Sequence, residues 1–109
     1  MTRAVPGPAP APTFDELIHA PVRLRICGLL RRVDQIDFTV LRDTLGVADA
    51  SLSKHLKLLT ESGYVASRKA SSSVRSDRRQ LTWLSLTASG RRAFDAHMAA
   101  LTEIAGTDG

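Results

Sequence analysis

Apolar residues between positions 50 and 65 (ASLSKHLKLLTESGYV) recur at helical spacing. Leu52, Leu56 and Leu59 fall on one side of a helix turning roughly 100° per residue, and Ala50, Ser53, Lys54 and Lys57 fall on the other. The same reading predicts helices on either side. Thr13 is placed to cap a short helix from Phe14, with Glu16 three residues on completing a capping box. Pro21 suits the first turn of a second helix, because the N–H it lacks has no partner there. That helix carries Val22, Ile26, Leu29, Leu30 and Val33 as its stripe, and DQID (Asp34 to Asp37) breaks it. Phe38, Leu41 and Leu45 mark a third helix, with Thr39 as a cap and Gly46 as its stop. Asp49 or Ser51 would cap the fourth, which ends near Ser62 and Gly63.

After Gly63 the period changes. YVASRKA (Tyr64 to Ala70) and LTWLSL (Leu81 to Leu86) partly alternate and favour β-branched and aromatic residues. They predict a β-hairpin whose long polar tip is Ser71 to Gln80. Thr87 then caps a last helix with Phe94, Met98, Leu101 and Ala105 along its stripe. Two helices joined by GVAD and followed by a hairpin define the expected fold class. It is mainly α with a small antiparallel β-hairpin, a winged helix-turn-helix with flanking dimerisation helices. The expected domains are a Pro/Ala-rich tail over 1–12, a winged-helix domain over 13–105 whose dimerisation helix is 87–105, and a frayed end over 106–109. The tail holds four of the five prolines, an alternation that supports no helix.

Composition narrows the chemistry. The 109 residues fit one domain, and 43% hydrophobic content can build a core. Fifteen Lys and Arg against 11 Asp and Glu give a net charge of +4. With a pI near 10.0, this favours a polyanionic partner. The single Cys27 excludes an internal disulfide and a paired-thiolate metal site, and is read as a buried, inert thiol. No apolar run reaches the roughly 18 residues of a membrane helix, and no secretory signal is present. The expectation is a cytoplasmic protein without membrane contact, cofactor or metal. Nothing resembles a nucleophile, a phosphate loop or paired carboxylates, so an enzyme is not expected. Asp15, Glu16 and Asp43 receive no chemical role.

Two basic features coincide. Ala50, Ser51, Ser53, Lys54 and Lys57 are short or cationic, which lets a helix approach base edges and phosphates. From Ser67 to Gln80, Arg68, Lys69, Arg75, Arg78 and Arg79 face one acid, Asp77. A solvated helix and a solvated loop explain either feature separately. Their order along the chain favours double-stranded DNA, with the helix in the major groove and the hairpin tip on phosphates or in the minor groove. The rival reading is a winged-helix module that docks on protein.

The segments DTLGVADASLSKHLKLLTESGYVASRK and RRQLTWLSLTASGRRAF, with their Leu86, Thr87, Gly90, Arg91 element, resemble winged-helix transcriptional regulators of the MarR and ArsR type. The likeness spans about residues 17 to 105, and the small single-domain MarR-like branch is the nearer match. It implies a homodimeric, sequence-specific DNA-binding regulator, typically a repressor on a near-palindromic operator. Ser51, Ser53, Lys54 and Lys57 match the recognition helix, and Arg75, Arg78 and Arg79 match the wing. The chain departs from the resemblance in its dispersed His19, His55 and His97, which form no sensor-like metal cluster, and in terminal helices short for an effector pocket. Phe14, Leu17, Ile18, Phe94, Met98, Leu101, Ile104 and Ala105 are the expected dimer surface. His55 is expected to pack at the helix seam, with a phosphate contact as the alternative, and Trp83 against the core, with stacking on a base as the lesser reading. His97 is placed either at the dimer interface or in solvent.

Overall fold

In the computed structural model, which describes residues 11–71 and 80–106, the helix-turn-helix is built as its leucines dictate. Helix α3 (Phe38–Leu45) and helix α4 (Asp49–Glu61) follow a short helix α1 (Glu16–His19) and helix α2 (Pro21–Leu30). Strands β2 (Val65–Ser71) and β3 (Gln80–Leu86) make the hairpin, and helix α5 (Ala88–Ala105) closes the domain. This is the expected winged helix-turn-helix.

The DQID break holds an unexpected element. Ile36–Asp37 forms strand β1, so the sheet has three antiparallel strands in the order β1-β3-β2. Ile36 pairs with Leu84 and Asp37 with Trp83. Two residues are too few to show an alternation. Asp37 is nevertheless buried, because its carboxylate accepts the Thr39 amide and caps α3 in place of the expected Thr39.

Ile18, Ile26, Cys27, Leu30, Leu41, Leu52 and Leu59 are fully buried at the centre. Each large apolar side chain there contributes about 1.5–3 kcal/mol by leaving water. Leu56 and Leu84 join them, while Phe38, Leu29 and Phe94 pack against the cluster from its edge. Val33 lies beyond the end of α2 and is exposed, so the expected stripe ends at Leu30.

Caps differ from expectation in instructive ways. Asp15, not Thr13, caps α1, its Oδ1 accepting the Ile18 amide at 3.1 Å. Thr13 instead donates its amide to the Ala96 carbonyl and ties the incoming chain to α5. Ala48 begins α4 without a side-chain cap, and Asp49 sits inside the first turn. Gly46 ends α3 at φ +70°, a left-handed conformation that a side chain disfavours, and its amide closes on the Arg42 carbonyl.

The base of the hairpin is a knot of hydrogen bonds. Thr87 donates its amide to the Tyr64 carbonyl at 2.9 Å and its hydroxyl to the Gly63 carbonyl at 2.6 Å. The same hydroxyl accepts the Gly90 amide and caps α5. A Cβ at Gly90 would lie 2.2 Å from the Tyr64 carbonyl oxygen, so only glycine lets α5 approach this closely. The Leu-Thr-x-x-Gly element is therefore the joint between hairpin and last helix.

Candidate nucleic-acid interface

Helix α4 splits by face as its sequence predicts. Leu52, Leu56 and Leu59 are buried, whereas Ala50, Ser53, Lys54 and Lys57 are exposed. Ser51 is half-buried and stands at the margin. Ser53, Lys54 and Lys57 make no hydrogen bond or ion pair with another described residue, so their polar groups remain available. Asp49, the acid at the head of the helix, is matched by Arg42 from α3, whose guanidinium reaches its carboxylate at 2.9 Å and also holds Asp43. That neutralisation leaves the lysines to set the sign of the face, and sequence spacing alone did not reveal it.

Arg23 of α2 donates to His55 Nδ1 at 3.0 Å. His55 therefore packs at the helix seam, as expected. Burial first, then the charges of Arg23 and Lys54, hold it below the ordinary histidine value.

An open groove of about 360 Å³ joins this helix to the sheet. Ser53, Lys57, Thr60 and Glu61 line it from α4, Ser67 and Thr82 from the strands, and Phe38, Leu56 and Leu84 supply apolar surface. Register decides which hairpin residues share this side. Ser67 pairs with Leu84 and Lys69 with Thr82, and cross-strand partners point to one face. Lys69 thus extends the groove face. Arg68 pairs with Trp83 on the opposite face, where its guanidinium donates to Gln35 Oε1 at 3.0 Å. The structure therefore brings Lys57, Ser67 and Lys69 to one side and turns Arg68 away. Arg75, Arg78 and Arg79 lie outside the described residues.

The terminal helices show what is free for a second copy. Phe14 and Met98 are 41% exposed and Ile104 69%, and Ala105 is exposed, whereas Leu17, Phe94 and Leu101 are half-buried. Ile18 is fully buried within the protomer and is withdrawn from the expected dimer surface. His97 faces neither solvent nor a partner. It is fully buried and accepts the Asp15 amide at Nδ1. Trp83 is half-buried and lies outside the main cluster. Cys27 is buried, as expected, and burial raises its thiol to about 12, reinforced by the nearby Asp15 carboxylate, which disfavours the reactive thiolate.

The geometry is that of a winged helix-turn-helix. Residues 22–105 match the winged helix DNA-binding domain family, and the chain belongs to it. An uncharacterized protein of Methanocaldococcus jannaschii is 33% identical over 79 residues, covering 72% of this chain and 82% of that protein. A transcriptional regulator homologue from Pyrococcus horikoshii OT3 superposes with a TM-score of 0.76 at 23% identity, covering 87% of this chain and 91% of that one. A MarR-family regulator from Porphyromonas gingivalis W83 gives 0.61 at 20% identity, with 86% and 85% covered. The chain thus carries a winged-helix DNA-binding domain, and its fold is shared with these solved regulators. No described helix is long and apolar enough to cross a membrane.

Proposed function

We propose that the protein is a homodimeric repressor that binds a near-palindromic operator, with α4 in the major groove and the hairpin on the flanking phosphates. One observation carries the reading. Ser53 and Lys57 of α4 share an open groove with the hairpin residues Ser67 and Thr82, and neither makes a hydrogen bond or ion pair with another described residue. Short hydroxyls suit base edges of either type, and lysine suits guanine or phosphate. Ala50 and Ser51 bring the start of the helix close to the DNA. Lys54 and Lys69 add cation to the same side, and Arg68 meets the backbone from the other face of the hairpin. The sequence adds Arg75, Arg78 and Arg79 as phosphate contacts of the wing.

A dimer joined through Phe14, Leu17, Phe94, Met98, Leu101, Ile104 and Ala105 would set two recognition helices roughly 34 Å apart, one turn of DNA. Fluorescence anisotropy on the duplex upstream of its own gene tests the proposal. Wild type should bind that duplex in preference to a scrambled one. Lys57→Ala and Arg78→Ala should each weaken binding about tenfold at low salt, and Arg78→Ala should lower the salt slope by about one. Equal affinity for specific and scrambled DNA would refute operator recognition. A monomer by sedimentation at micromolar concentration would refute the dimer.

A further inference from the structure

A polar cluster lies away from the proposed DNA face, where α1 rests on α5. His97 is fully buried, and its Nδ1 accepts the Asp15 amide at 2.9 Å. A ring nitrogen that accepts an N–H carries no proton. The single proton of a neutral His97 is therefore on Nε2, which lies 3.2 Å from His19 Nδ1. His97 donates there, His19 accepts, and the proton of His19 is left on its own Nε2. Phe14 closes the cluster, its ring centroid 4.7 Å from His19 and 4.8 Å from His97.

At His97 this arrangement has no place for one more proton. On His97 Nδ1 it would meet the Asp15 N–H. On His19 Nδ1 it would meet the His97 N–H. On His97, which is fully buried, donor then faces donor and a part-buried hydrogen bond is lost, whereas the exposed His19 can turn its ring to water. Asp15 carries the disturbance further, because its Oδ1 caps α1 through Ile18 and its Oδ2 accepts the Tyr64 hydroxyl at 2.6 Å. Tyr64 immediately precedes β2, so the cluster also touches the root of the hairpin.

We propose that the His19–His97 pair is a proton-operated latch: with both rings neutral it holds α1 on α5, and an added proton on His97 frees α1 together with the surface that Phe14 and Met98 offer to a second copy. The link to a second copy rests on the dimer proposed above; the latch itself does not. The charged and titratable surroundings of His97 are few. Asp15, Glu16 and His19 belong to α1 and its cap, Cys27 and Arg23 to α2, and Tyr64 to the approach to β2. On α5 itself, Asp95 is engaged by Arg31 at 3.0 Å. Arg23 is turned to the Leu17 carbonyl and to His55.

The sign follows from His97. Burial first, then His19, hold its folded value below the ordinary 6.5, with Asp15 opposing them. The unfolded chain therefore binds the proton more readily. The latch stabilises fully above about pH 6.5 and is lost as pH falls through that value towards the lowered folded one.

The experiment uses the full chain, labelled with ¹⁵N. At pH 7.5, two-bond ring correlations should show the His97 proton on Nε2. Between pH 7.5 and 5.5 the Asp15 and Ile18 amides should lose at least tenfold protection from exchange, after correction for the intrinsic pH dependence. Sedimentation over the same range should show the dimer dissociating. His97→Asn places an oxygen near Nδ1 that accepts the Asp15 amide and takes no proton, so its protection should vary less than twofold. The wild-type arms decide the matter even if this variant does not fold. A His97 proton on Nδ1 at pH 7.5, or unchanged Asp15 protection, overturns the latch. Release of α1 with a constant dimer overturns its link to assembly. Anisotropy on duplex DNA at pH 7.5 tests DNA recognition separately, since failure there alongside the expected exchange behaviour would sink recognition and leave the latch standing.

Discussion

Helix α4 and helix α5 both carry polar side chains beside an apolar stripe, yet they treat them oppositely. On α4, Ser53, Lys54 and Lys57 are exposed and make no hydrogen bond or ion pair with another described residue. On α5, His97 is fully buried, with both ring nitrogens engaged. Among the described residues, no buried side-chain nitrogen or oxygen lacks a partner. A polar group left open at a surface adds little to stability and is free for binding. A polar group sealed inside does the reverse, because its loss strands whatever it was paired with.

The contrast can be broken or sharpened by substitution. The largest effect is expected where neither polar set is touched. Leu59→Ala should destabilise by about 2–5 kcal/mol in urea unfolding, the usual range for emptying a packed core site. His97→Leu should follow at about 1–3 kcal/mol, because it orphans the Asp15 amide. A loss below about 0.5 kcal/mol would show that the cluster holds nothing. Tyr64→Phe should remove about 1 kcal/mol, and a double-mutant cycle with Asp15→Ala should assign most of that to the pair. Tyr64 itself is pushed up to about 12, chiefly by its hydrogen bond to Asp15, so that bond is intact throughout the neutral range. Smallest of all, Lys57→Ala should leave stability within about 0.5 kcal/mol while weakening DNA binding. A large stability loss there would place Lys57 in the fold instead of at the interface.

The α4 face was legible in the sequence because it needs only local periodicity. Leucines at helical spacing, with serines and lysines between them, fix both faces of a helix without knowledge of its neighbours. The hairpin and the Thr87 cap were legible for the same reason. What escaped depends on contacts distant in sequence. Asp15 looked chemically idle, yet its partners include Tyr64 and His97, 49 and 82 residues away. His97 sits beside Met98 and Leu101, and its burial is decided by where α1 lands. Strand β1 escaped because a two-residue strand has no period, and the matching of Asp49 by Arg42 because it crosses the helix-turn-helix turn.

The joint at Thr87 has a mechanical consequence. The chain enters and leaves the hairpin at one point, where the Thr87 amide and hydroxyl clamp the Tyr64 and Gly63 carbonyls and Gly90 lets α5 press against them. The hairpin is anchored by this clamp at its base and braced by strand β1 along β3 and by the Arg68–Gln35 hydrogen bond from β2. Thr87 and Gly90 are held to their identities by the clamp.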